Sequence, residues 1–135
     1  HEAGHTIFGI FGWRFLTILG GTLMQLLIPF LIVCYGWFNK QTKITQSALY
    51  WLGFAWFDTA VYAADAYYKQ LPLIGNLPAS AHDFANLLSH LHVLDHYKTV
   101  AWFLFSIGSL VLLLAIIWPI FSDEDVKHVN LDLKI

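Results

Sequence analysis

The chain has 135 residues and a net charge of −2; 58% of its residues are hydrophobic and only 12% are charged. A soluble domain carries about 25% charged residues, so this composition argues against an ordinary water-soluble globule and for a chain that lives in lipid. There is no basic cluster to hold nucleic acid, the single Cys34 excludes an internal disulfide, and the length allows one domain.

In chain order, residues 1–19 read as the remaining half of a transmembrane helix followed by an irregular segment. A helix that starts at His1 leaves its first N–H groups unpaired, which is costly at membrane depth. Residues upstream of His1 are therefore expected to continue it. Three later stretches reach the roughly 20 apolar residues that a span requires. They are 21–38 without a charge, 47–68 with Asp58 and Asp65, and 100–121 without a charge. Residues 39–46 form a short polar loop with Lys40 and Lys43. The connection 69–99 is long and holds the turn-formers Pro72, Gly75, Asn76 and Pro78. Inside it, 83–94 predicts a short amphipathic helix, with Phe84, Leu87, Leu88, Leu91 and Leu94 on one side and Asp83, Asn86 and His90 on the other. The expected architecture is all-α and polytopic: about four transmembrane helices, the first truncated, plus one interfacial helix. Residues 1–121 form the membrane core and 122–135 a polar tail.

The chemistry starts at HEAGH. Positions i and i+4 lie on one helix face, so His1 and His5 can both reach one ion. Glu2 sits about 100° around the helix from His1, beside the ion and not on it. There it can take a proton from a water that the ion has acidified. Two histidine ligands, an open position for water and a glutamate base make the zinc-hydrolase arrangement. Glu2 is the only glutamate before the tail, and the apolar TIFGIFG follows the triplet. Ionisable groups at the head of a buried apolar helix are expensive and functional by default.

A catalytic zinc takes three protein ligands, so HEAGH lacks one. The candidates are Asp83, Asp65, Asp58 and His82. Asp83 follows Pro78 at a helix start, where the alternative role is an N-cap. His82 could ligate or could stabilise an oxyanion. Asp65 has Lys69 four residues on as an ion-pair partner. Asp58 has no basic residue within a turn and shares a face with Tyr62 and Asp65. Asp58 or Asp65 suits a role behind a ligand histidine. Pro29 frees the carbonyl of Gln25, which either kinks the helix or offers an acceptor to an extended substrate. Gly9 and Gly12 permit close helix approach. His92 and His96 form a second HxxxH pair; with His90 they read as solvated residues at the membrane surface.

These motifs resemble the site-2 proteases, intramembrane zinc metalloproteases. HEAGH matches their HExxH. GTLMQ, with Gly21, Leu23 and the amide Gln25, is similar to their Gly-Pro-Leu-x-Asn stretch. NLPASAHDFANLL is similar to the Asn/Pro-then-Asp segment, with Asp83 in the ligand position, although His82 and Phe84 replace the family's Leu and Gly around it. The resemblance runs from His1 to Leu88. It implies Zn2+ held by His1, His5 and Asp83, with Glu2 as catalytic base. It also implies hydrolysis of peptide bonds in membrane-protein or peptide substrates. The expected setting is a lipid bilayer, as a multi-pass protein of a bacterial cytoplasmic membrane. A di-iron His-box membrane oxidase or hydroxylase and a non-catalytic metal-binding membrane protein are the alternatives. The lysines of 39–46 favour a cytoplasmic position for that loop, whereas the resemblance places the opposite, catalytic end there.

The geometric expectation is an Asp83 carboxylate within about 5 Å of a His1 or His5 ring nitrogen, the span of two bonds to a shared metal. A polar cleft lined by Glu2, His82, Asp83 and Asp65 should open beside the 69–99 connection.

Overall fold

The computed structural model describes residues 1–73 and 78–122. The tail from 123 onward, the turn residues Gly75 and Asn76, and the Asn-Leu of the NLP motif lie outside the described residues. Within them the architecture is all-helical. Helix α1 covers Glu2–Gly9, α2 Arg14–Phe38, α3 Thr42–Ala64, α4 Asp83–His90 and α5 Tyr97–Phe121. Single 3-10 turns at Ala79–Ala81 and Leu94–His96 lead into α4 and α5.

The start of α2 differs from the expectation. The expected span starts at 21 after an irregular segment, yet α2 begins at Arg14 and runs through Gly20 and Gly21. Two glycines inside a helix cost about 1 kcal/mol each relative to alanine. Packing of α1 offsets that cost. A Cβ on Gly4 would lie 2.1 Å from the Gly20 carbonyl oxygen, and one on Gly20 would lie 2.7 Å from Phe8 Cβ. The close approach therefore uses Gly4, Gly20 and Gly21, not Gly9 and Gly12. Gly9 is in ordinary contact with Thr17, and Gly12 has open space around it. What Gly12 supplies is a left-handed φ of 69°, which turns the chain from α1 into α2.

Helix α3 is the centre of the bundle, with α2 against it on one side and α5 on another. Gly53 and Gly108 mark the α3–α5 crossing: a Cβ on Gly53 would meet Leu112 at 2.5 Å, and one on Gly108 would meet Phe57 at 2.7 Å. One buried cluster gathers Ala63, Ala66, Phe84, Ala85, Leu88, Tyr97 and Ala101, so α4 is seated on the ends of α3 and α5. A second cluster, Val33, Ala48, Leu49, Leu52 and Ala115, fills the other end. Of the apolar stripe expected on 83–94, Phe84 and Leu88 are buried. Leu91 is exposed because the helix already ends at His90.

Helices α2 and α5 have 25 residues each, about 37 Å at 1.5 Å per residue. That exceeds the roughly 30 Å of a hydrocarbon core. Among the described residues, these two helices are long and apolar enough to cross a membrane. Their outward faces carry large apolar side chains, with Trp102, Phe103 and Leu110 each about two-thirds exposed. An apolar face of this extent suits hydrocarbon and would be a liability in water. Four spans are not defined by these lengths. The described α1 has eight residues. Helix α3 begins five residues before the expected span, in the polar run Thr42, Lys43, Thr45, Gln46, and stops at Ala64 rather than at 68. Beyond Ala64 the chain continues in turns that end at a left-handed φ of 53° at Lys69, and the Asp65 carboxylate accepts the backbone N–H groups of Gln70 and Leu71, both at 2.9 Å.

Candidate metal centre

His1 and His5 lie on successive turns at the start of α1, where i and i+4 stack their rings with centroids 4.8 Å apart. Asp83 arrives from 82 residues further along the chain than His1. Its backbone N–H donates to the Tyr62 hydroxyl at 3.2 Å, which fixes the first residue of α4 against α3. The carboxylate then turns towards α1. Asp83 Oδ2 lies 3.0 Å from His1 Nε2 and 3.1 Å from His5 Nε2. One donor atom from each of the three residues lies within 4.8 Å of the others. The side chains are 22%, 23% and 14% exposed for His1, His5 and Asp83, so solvent reaches the cluster but does not surround it.

The outer nitrogens decide what the inner ones can do. His5 Nδ1 meets the carbonyl oxygen of Thr17 at 2.7 Å. A carbonyl only accepts, so Nδ1 carries the proton and Nε2 presents a lone pair. His1 Nδ1 meets Gln25 Oε1 at 3.2 Å, which has the same consequence. Two imidazole lone pairs thus face one carboxylate oxygen at about 3 Å. That arrangement is repulsive unless a cation sits among them or a ring takes up an extra proton. Bare Nε2 atoms with their Nδ1–H groups tied to outer acceptors are the pattern of metal-ligating histidines. Two imidazole nitrogens and one carboxylate oxygen are a donor set that could hold a metal ion. Backbone shape fits as well. A Cβ on Gly21 would lie 2.5 Å from His5 Nε2 and 2.7 Å from His1 Nε2, so α2 passes the donors at a distance only glycine allows.

A cavity of about 700 Å³ opens on the cluster. Glu2, His1, His5, Gln25, Asp58, Tyr62 and Asp83 form its polar wall, while Ile18, Val61, Leu71, Pro72 and Leu73 form its apolar wall. Glu2 is exposed in the first turn of α1, beside both histidines. The cavity lies at the end of the bundle that carries the 69–99 connection.

Two of the residues expected in that cleft are elsewhere. His82 is 1% exposed and is the N-cap of α4, its Nδ1 accepting the Ala85 N–H at 3.3 Å. Burial pushes its imidazole below the usual range, against the opposing pull of Asp65. Nε2 therefore carries the proton and points at Asp65 Oδ2, 3.3 Å away but off the line of a good hydrogen bond. The capping role considered for Asp83 falls to its neighbour, which leaves the Asp83 carboxylate to face α1. Asp65 is tied to His82 and to the 70–71 backbone, and it is not ion-paired with Lys69. Asp58 is linked to His1 through an intermediary: Gln25 Nε2 donates to Asp58 Oδ2 at 2.9 Å, and Gln25 Oε1 meets His1 Nδ1. His90, His92 and His96 are exposed; the His90 ring lies 5.7 Å from that of Phe15, and these three gather no metal-binding group among the described residues.

Tyr62 shares the Asp58 face in the sequence, but nothing there shows that its hydroxyl anchors Asp83. The Thr17 carbonyl is invisible in the sequence, because a backbone acceptor leaves no mark on residue identity. No family model matches the chain, and neither a curated protein nor a solved structure shows significant similarity to it.

Proposed function

We propose that the chain is the core of a membrane-embedded zinc endopeptidase that cuts peptide bonds of membrane-protein or peptide substrates. The observation that carries this reading is the convergence of two lone-pair imidazole nitrogens and one carboxylate oxygen, with a glutamate beside them, on the wall of a cavity. His1, His5 and Asp83 would hold the zinc. When bound, the ion supplies Lewis acidity, bringing water to a pKa of about 7 and polarising the scissile carbonyl. Glu2 takes the proton of the attacking water and returns it to the leaving amine. Tyr62 accepts the Asp83 N–H with an oxygen lone pair, so its own hydrogen is available to an oxygen developing charge in the cavity. The apolar wall from Ile18, Val61 and Leu71–Leu73 suits the side chains of a transmembrane segment.

In this reading α2, α3 and α5 cross the bilayer as a multi-pass core, α1 is a fourth inserted helix, and α4 seals the cavity at the interface. A bacterial cytoplasmic membrane is the setting that the motif resemblance implies. Donor groups gather at a single cluster among the described residues, which disfavours a di-iron oxidase with its several histidine boxes. The test is cleavage of a single-span peptide in proteoliposomes. Activity should require zinc, stop with chelator and return on zinc addition. Cleavage that persists in Glu2→Gln, or that chelators leave untouched, would overturn the proposal.

A further inference from the structure

The geometry points to Asp58 and Gln25 as positioning residues: Asp58, acting through the Gln25 amide, selects which nitrogen of His1 is free to bind a cation. The inference rests on the metal-centre reading above and concerns how that centre is kept competent.

The two histidines are held differently. For His5 the tautomer is dictated by Thr17, whose carbonyl oxygen can only accept. For His1 the partner is an amide, which can present either its oxygen or its NH2. With the oxygen towards His1, Nδ1 donates and Nε2 is a ligand. With the NH2 towards His1, Nδ1 must accept, Nε2 carries the hydrogen, and the ring cannot bind a metal through Nε2. Gln25 by itself does not choose. Its second contact does. Asp58 Oδ2 lies 2.9 Å from the far end of the same amide, and an ionised carboxylate only accepts. The NH2 must therefore face Asp58, the oxygen must face His1, and the His1 Nε2 lone pair is left for a cation held between His1, His5 and Asp83. The charge on Asp58 also strengthens the bond to the amide and favours the same polarity along the chain.

The arrangement explains a carboxylate that otherwise has no role. Asp58 lies on a mostly apolar helix, among the described residues it enters no ion pair, and Gln25 is its hydrogen-bond partner. It also explains a long amide at position 25. The link must reach from a ligand ring on α1 to a carboxylate on α3, with α2 between them.

The test is a polarity swap, read as zinc affinity by competition with a chromophoric chelator on the full chain in detergent micelles. Asp58→Asn keeps shape but removes the obligate acceptor, so the Gln25 amide can turn. Apparent affinity should fall about 10- to 100-fold, the usual effect of an outer partner of a ligand. Adding Gln25→Glu to Asp58→Asn rebuilds the polarity. The amide nitrogen introduced at 58 donates to the carboxylate introduced at 25, and that carboxylate accepts from His1 Nδ1–H. Affinity in the double variant should return to within about threefold of wild type, whereas independent effects would add. If Asp58→Asn does not fold, the double variant carries the test alone. Unchanged affinity in Asp58→Asn, or a double variant that binds no better than the single one, overturns the relay. A wild-type chain that binds no zinc overturns the metal centre, and the relay with it.

Discussion

Gly21→Ala places one methyl group between α2 and the two imidazoles. Its Cβ would stand 2.5 Å from His5 Nε2, 2.7 Å from His1 Nε2 and 2.8 Å from His1 Cε1. To regain ordinary contact at 3.4 Å, His5 must retreat by about 0.9 Å and His1 by about 0.7 Å. Metal–ligand bonds tolerate only about 0.2 Å. The rings cannot withdraw while Thr17 and Gln25 hold their outer nitrogens, so either those bonds break or α1 lifts from α2. Helix propensity works in the opposite direction: alanine in a helix interior is favoured over glycine by about 1 kcal/mol. The two effects separate in measurement. Helix content by circular dichroism should be kept, while zinc affinity by chelator competition should fall by at least about a hundredfold, since a displaced ligand pair costs more than an outer partner. A folded Gly21→Ala protein that binds zinc within a few-fold of wild type would refute the claim that the ion sits where the three donors meet.

Glu2→Gln should retain zinc and lose at least about a hundredfold in cleavage of a membrane-segment peptide, the scale of a missing general base; equal loss of zinc would make Glu2 a ligand instead. Asp83→Ala should abolish tight zinc binding. Asp65→Ala should leave affinity within a few-fold yet lower thermal stability, because it frees the Gln70 and Leu71 N–H groups and the His82 contact; the reverse ranking would move the third ligand to Asp65. Acidification should release zinc as the histidines protonate. Occupancy should fall on dialysis into acid, read by metal analysis, because an imidazole must be deprotonated to ligate, and retention of zinc at about pH 4 would argue against histidine ligation.

The parts of this site that are legible in the sequence are those set by local geometry. HEAGH places two rings on one helix face whatever the fold does, because i and i+4 always stack. The apolar runs around α2 and α5 are likewise visible, since length and composition alone define them. The boundaries were less so. Gly20–Gly21 carries no sign of its neighbours when read along the chain and becomes a packing surface only when Gly4 and the histidines lie against it. His82 next to Asp83 offers two donors at one place, and only the backbone at the head of α4 decides that His82 caps while Asp83 faces α1. The amide of Gln25 was legible as polar in an apolar helix, but its partners are 24 residues before it and 33 after it. Such links are set by tertiary packing, on which periodicity is silent.

The most direct measurement is the metal content of the purified full chain, stripped with chelator and titrated with zinc and with iron(II) in detergent. The account predicts one zinc per chain, lost in His5→Ala and in Asp83→Ala. Two irons per chain, or no tight zinc site in the wild type, would contradict it.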